Sequence, residues 1–129
     1  MIKLTFCLHR KSGLSLAEFQ AYWWEKHAPL VASHKEALRI RKYVQLHSRE
    51  LDYNDGLRAS RAPGGQLDAA PAAYDGVAEL WWDSLDDIMA TATDPAAITA
   101  GQELLEDEQK FIDLACSPLW LGEEKTVFG

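Results

Sequence analysis

Cysteine is scarce in this chain of 129 residues: Cys7 and Cys116 stand alone, far apart and without any CxxC spacing. A disulfide framework and a zinc-type thiolate set therefore have no support, and ordinary buried thiols are the expected state. Positive charge is the second shortage, with 13 Lys and Arg against 20 Asp and Glu and a net charge of -7. No basic run or basic helix face offsets this balance, so a partner whose phosphates must be neutralised is not expected, and nucleic acid is set aside. Long apolar runs are missing too, which argues against a membrane span. The opening MIKLTFCLHRK reads as a strand and not as a secretory leader, and a cytoplasmic location is the expectation. A Gly-rich phosphate loop, a nucleophile elbow and an HExxH motif are all absent. Nucleotide hydrolysis, serine-hydrolase chemistry and zincin protease activity accordingly find no support.

What is present suffices for one globular domain over residues 1–129, since 47% of the residues are hydrophobic. Residues 2–10 alternate Ile2, Leu4, Phe6 and Leu8 with Lys3, Thr5, Cys7 and His9, the two-residue period of a strand. Ser15 caps a helix, with Glu18 completing a capping box, and Pro29 distorts or ends its last turn. Alternation returns over 39–48 and again over YDGVAELWWD at 74–83. A short helix opens at Ser84, a break follows at Asp94-Pro95, a main helix runs to about Ala115, and an extended piece follows Pro118. Residues 49–73, punctuated by Asn54-Asp55-Gly56, Pro63-Gly64-Gly65 and Pro71, are too long for a hairpin turn. They read either as a lid or as a mobile insertion with a short helix around Leu57.

The order strand, helix, strand, strand, helix, strand predicts an α+β, ferredoxin-like fold: a four-stranded antiparallel sheet with the helices on one face. The other face would leave a large apolar patch in water, so a second copy is expected to cover it as a homodimer. Two sheets facing each other then form a dimeric α/β barrel, with a pocket available in each subunit.

Candidate chemistry starts at FQAYWWEKHAPL, where helical periodicity places Leu16, Phe19, Trp23, His27, Leu30 and His34 on one broad face. An imidazole on a buried stripe either completes a structural hydrogen bond or faces a cavity. On the strands, if Ile2, Leu4, Phe6 and Leu8 face the helices, then Thr5, Cys7 and His9 face the barrel. The same phase sends Arg41, Tyr43, Gln45 and His47 of the second strand, and Asp75, Val77, Glu79 and Trp81 of the third, toward the barrel. A one-residue slip would exchange the faces. His9, His47, Glu79 and Tyr43 are then the groups able to meet a ligand, with Trp81 a flat wall for an aromatic ring. In the second main helix, Leu104, Leu105, Phe111, Ile112 and Ala115 define the apolar stripe, and Glu108 falls within it. A buried carboxylate needs a partner. His27, His34, Trp23 and Trp24 are the candidates, and with His27 as partner Glu108 would orient a basic imidazole.

Taken in order, FQAYWWEKHAPL, KYVQLH, YDGVAELWWDS and EDEQKF resemble the EthD family of the dimeric α/β barrel superfamily. The resemblance covers nearly the whole chain outside 49–73. It implies the fold already derived, and a small-molecule chemistry drawn from ether degradation, polyketide cyclisation, dehydration, decarboxylation or lactone isomerisation. It further implies a site built from a helix histidine and polar residues of the second strand, for which His27, Arg41 and His47 are the matching positions. The combined expectation is a cofactor-free lyase, dehydratase, cyclase or isomerase. His27, His47 and Glu79 would be its catalytic groups, His9, Arg41, Tyr43, Gln45 and Trp81 would meet a small hydrophobic or aromatic carbonyl compound, and Glu108 would orient. No metal is expected, because His27 and His34 lie about 10 Å apart along a helix. A cofactor-independent monooxygenase and a non-catalytic binding protein stay open as alternatives.

Overall fold

The computed structural model describes residues 1–129. Four strands, β1 (Ile2–Leu8), β2 (Lys42–His47), β3 (Gly76–Trp82) and β4 (Leu119–Gly122), form one sheet in the order β2-β3-β1-β4. Every pairing is antiparallel. This is the ferredoxin-like arrangement expected from the element order. Five α-helices accompany it: α1 (Leu16–Tyr22), α2 (Ala28–Ser33), α3 (Asp52–Ser60), α4 (Leu85–Thr91) and α5 (Pro95–Glu108). None is long and apolar enough to cross a membrane.

The helix boundaries follow from local chemistry. Ser15 Oγ accepts from the Glu18 N–H at 3.0 Å while Glu18 accepts from the Ser15 N–H, so both halves of the capping box are present. Ser84 and Asp94 cap α4 and α5, and Pro95 occupies the first position of α5, where its missing N–H costs nothing. The helix was expected to run to about Ala115; instead α5 stops at Glu108, and Phe111 and Ile112 extend the core from an irregular turn.

Pro29 does not end its helix. A π turn, Trp23–His27, joins α1 to α2, with the Ala28 N–H reaching back to the Trp23 carbonyl. In an α-helix the proline ring would strike the carbonyl of Glu25, and the wider turn just before it relieves that crowding. The π turn has a second effect. Phe19, Trp23, His27 and Val31 are spaced by four and all are buried. Such spacing drifts about 40° per step around an α-helix. The wider turn takes that drift back and keeps the four side chains on one face.

Register fixes the two faces of the sheet. Leu4, Phe6 and Leu8 pair with Leu80, Ala78 and Gly76, and these in turn pair with Tyr43, Gln45 and His47 of β2. All share the face under the helices, where Phe6, Leu8, Phe19, Trp23, Ala78, Phe111 and Ile112 make the main core cluster. Val31, Ile40 and Trp82 make a second, smaller one. Lys3, Thr5, Cys7, Val77, Glu79 and Trp81 lie on the opposite, open face with Lys42, Val44 and Leu46. The sequence reading therefore holds for β1 and β3 and fails for β2, whose Tyr43, Gln45 and His47 face the helices. Its Val44 and Leu46 are the exposed residues, so apolarity on this strand does not mark the helix side.

Residues 49–73 hold α3, which buries no side chain, and two short 3-10 turns, Pro63–Gly65 and Leu67–Ala69.

Candidate active site

Where the two core clusters meet, a cavity of about 70 Å³ remains between the sheet and the helices. Phe6, Leu8, Trp23, Val31, Ala78, Leu80, Leu104 and Ile112 make its walls apolar, and three polar residues line it: His27, Tyr43 and Glu108. Each comes from a different element, His27 from the π turn, Tyr43 from β2 and Glu108 from the end of α5.

His27 is 5% exposed, and its Nδ1 lies 2.8 Å from Oδ2 of Asp107. The other Asp107 oxygen accepts from the Tyr22 hydroxyl at 2.5 Å, and Lys110 Nζ stands 3.5 Å from it. Burial alone would push the Asp107 carboxyl up, but the hydrogen bonds from Tyr22 and His27 together hold it below the usual carboxylate range. Asp107 is thus a fixed acceptor that sets the Nδ1–H tautomer of His27 and leaves Nε2 as the nitrogen free to accept a proton at the cavity that His27 lines. Burial lowers the His27 pKa below that of a free imidazole, outweighing Asp107, so the ring is neutral near pH 7. Burial first, then the hydrogen bond to Asp107 and its charge, push the Tyr22 hydroxyl up to about 12.

Glu108, the next residue, behaves in the opposite way. It has no cationic partner, and burial followed by the neighbouring Asp107 charge raises its pKa to about 7. A carboxyl group in that state can give up or take a proton near neutrality.

The expectation that Glu108 orients His27 is corrected here, because Asp107 holds that position. His34 pairs with Glu103 at 2.6 Å, and Trp24 is largely exposed, so neither serves Glu108. The physical reason is the phase of α5. Its inward face runs through Ala97, Ala100, Leu104, Asp107 and Glu108, while Leu105 is 47% exposed. Taking Leu105 as buried turned the stripe enough to hide Asp107. The two small alanines, spaced with Leu104 at the three- and four-residue intervals of a helix face, carried the signal that would have found it.

The other sequence candidates are spread over the molecule. His47 and Gln45 sit beside the cavity on the same sheet face, with Gln45 Oε1 2.7 Å from His47 Nε2. The His47 ring stacks on Trp23 with centroids 4.5 Å apart. Trp23 comes so near the sheet because position 76 is glycine: a Cβ there would overlap the Trp23 ring and lie 2.9 Å from the Leu46 carbonyl. Arg41 is exposed and pairs with Asp83 at 2.8 Å, beside a solvent-open hollow lined by Lys35, Arg39 and Asp87. Glu79 lies on the open face with Lys3 Nζ at 3.0 Å. Trp81 is on that face too, donating its indole N–H to Glu124, with the Lys3 and Lys42 ammonium groups 4.8 and 4.6 Å from its ring. His9 is at the sheet end, packed on Tyr74 with centroids 4.6 Å apart. No three His, Cys, Asp or Glu side chains come together as a metal-ligand set.

Comparison with known proteins agrees with this fold. A conidial pigment biosynthesis dehydratase, EthD, from Metarhizium robertsii is 25% identical over 122 residues, covering 95% of this chain and 81% of that protein. An ethyl tert-butyl ether D (EthD) family protein from Bacillus halodurans superposes with a TM-score of 0.61 at 15% identity, over 97% of this chain and 99% of the other. An EthD-like protein from Ralstonia eutropha gives 0.55 at 20% identity, over 95% and 89%. At these identities the two structures speak for the fold alone. The EthD domain model matches residues 11–115, from the loop before α1 through α5 and the turn beyond it, so the chain belongs to the EthD domain family.

Proposed function

We propose that this protein is a cofactor-independent dehydratase acting on β-hydroxy carbonyl compounds of polyketide type. The observation that carries the reading is the convergence on one apolar cavity of a carboxylate-oriented neutral imidazole and an unpaired carboxyl group with a pKa of about 7. The similarity to a conidial pigment biosynthesis dehydratase supports the same reaction class.

In this reading His27 Nε2 removes the proton on the carbon alpha to the substrate carbonyl. The carbon–oxygen bond to the β-hydroxyl then breaks, and Glu108, in its acid form, protonates the departing oxygen as water. The Tyr43 hydroxyl donates to the carbonyl oxygen, where charge builds up as the proton leaves. Proton return from His27 to Glu108 through the product water restores both groups. The reaction is redox-neutral. Arg41, Glu79, His9 and Trp81 lie off the cavity and receive no chemical part.

The cavity is about half the ~150 Å³ that accommodates one benzene, so it takes the reacting end of a substrate and leaves any larger ring system outside. Two probes test this: 4-hydroxybutan-2-one, which yields methyl vinyl ketone, and 3-hydroxy-1-tetralone, which yields 1-naphthol. Product formation above the buffer rate that disappears in His27→Gln supports dehydration. Binding without turnover, or turnover indifferent to His27→Gln, rejects it in favour of a ligand-binding protein.

The reading also makes residues 1–129 one domain with 49–73 as a peripheral insertion, and pairs two copies through the open sheet faces. Leu46 and Trp120 are 58% and 53% exposed there. Light scattering that gives a monomer of 14.5 kDa at micromolar concentration would reject the pairing.

A further inference from the structure

We infer that Gln45 and His47 are positioning residues that turn the Tyr43 hydroxyl into a hydrogen-bond donor directed at the cavity. This rests on Tyr43 meeting the substrate carbonyl, as proposed above, and goes beyond it by explaining what sets the direction of that hydroxyl.

The direction follows from one group that can act in only one way. The Trp23 carbonyl, at the start of the π turn, can only accept, and it faces the Gln45 side-chain nitrogen at 3.1 Å. The side-chain amide is thereby oriented with its NH2 group toward Trp23. The same NH2 group lies 2.7 Å from Tyr43 Oη and gives it the second proton. Gln45 Oε1, at the other end of the amide, must then accept, so His47 donates from Nε2 at 2.7 Å. Three residues of β2, at alternate positions on the helix-side face, form a chain of donors: His47 to Gln45 to Tyr43.

The last link has a consequence for chemistry. Because Tyr43 Oη receives the Gln45 proton, its own O–H proton is not spent on Gln45. Tyr43 lines the cavity together with His27 and Glu108, and its hydroxyl oxygen accepts from two donors, the Gln45 amide and the Trp23 side chain, which leaves its own proton for the cavity. A phenol in this arrangement offers its proton to a ligand and cannot turn to donate it to Gln45's oxygen, which His47 engages. The far end of the chain is clamped: the His47 ring stacks on Trp23 at an interplanar angle of 24° and stands edge-on to Trp24 with ring centroids 6.2 Å apart. Burial keeps that ring neutral near pH 7, so one tautomer is selected by the Gln45 oxygen. The π turn thus contributes twice, with His27 as base and with the Trp23 carbonyl that fixes the amide.

Two readouts that need no enzymatic activity decide the point. The first is the ¹⁵N spectrum of His47 at pH 8, assigned by its loss in His47→Gln; the proton is expected on Nε2. The second is the infrared carbonyl band of ¹³C-labelled acetone bound at high concentration. It is expected at lowered frequency in the native protein and in His47→Gln, which keeps an N–H donor at that place. The lowering is lost in Tyr43→Phe and reduced in His47→Leu and Gln45→Leu. In turnover of 4-hydroxybutan-2-one, His47→Leu is expected to lower kcat about fivefold at unchanged KM, the loss of one neutral hydrogen bond, and His47→Gln to restore most of it. A proton on His47 Nδ1, or an acetone band identical in native and His47→Leu protein, overturns the inference, and the tautomer measurement stands even if His47→Leu fails to fold. If neither hydroxy ketone is turned over while tautomer and band behave as stated, dehydration is the reading that falls and the hydroxyl positioning remains.

Discussion

Glu79 and Glu108 are the same side chain on opposite sides of one sheet. On the open face, Glu79 has Lys3 at 3.0 Å, in a group with Glu124 and the cation-lined ring of Trp81. On the helix side, Glu108 has apolar walls and the Asp107 charge for company, and its pKa rises to about 7. The difference teaches that the same carboxyl group is met by a cation on the open face and left without one among apolar walls on the helix side. Isolated surface ion pairs contribute little. An unpaired carboxyl in an apolar pocket destabilises the fold and is therefore the better marker of chemistry.

The sharpest way to break this comparison is His27→Gln, expected to lower kcat by about 10²–10⁴-fold, the usual contribution of a general base. Steady-state turnover of either hydroxy ketone reads it. A loss smaller than tenfold would move the chemistry away from the helix side.

Glu108→Gln comes next, and its sign depends on pH. The folded state holds the Glu108 proton up to about 7, above the ordinary 4.5, so its contribution to stability falls as pH rises from about 4.5 through 7. Glutamine removes that loss. The variant should exceed the native protein in stability at pH 8, on the order of 3 kcal/mol from the shift, and converge with it near pH 4, as urea titrations would show. Its rate profile should also change. In the proposed reaction turnover needs neutral His27 and protonated Glu108, so it is expected to peak just below pH 7 and fall above it; the alkaline fall should vanish in the variant along with most of the rate.

Gly76→Ala probes the helix side without touching a polar group. The added methyl collides with the Trp23 ring, and a cost of about 1–3 kcal/mol is expected from overpacking. Calorimetry would show it as a lowered Tm. The smallest effect belongs to the open face: Glu79→Gln should cost less than about 1 kcal/mol and leave kcat within twofold. A large kcat loss there would reverse the contrast between the faces.

Much of the fold could be read from residues alone because the signals were local. The Ser15–Glu18 capping box, Asp94-Pro95 and the alternation in β1 and β3 depend on near neighbours in the chain. β2 was misread because a period of two identifies a strand without saying which side meets the helices. Val44 and Leu46 are apolar on the side away from them, whereas Tyr43, Gln45 and His47 line the inner face. At the site, His27 was legible as an imidazole on a buried stripe, and Glu108 as a carboxylate on another. Asp107 and Tyr22 were not, since their roles arise from contact between residues 80 and 85 positions apart. The π turn left a trace in the four-residue spacing from Phe19 to Val31; of the two readings of Pro29, distortion and ending, the turn beside it is the distortion.

Asp107 binds two partners at once, the Tyr22 hydroxyl and the His27 imidazole, and so ties α1 to α5 with the group that orients the imidazole. Changing the acid to adjust the basicity of that imidazole also loosens the joint between two helices. A lineage seeking a new reaction on this scaffold would find it easier to alter Glu108 or the greasy walls, which carry no such double duty, than to retune the imidazole itself.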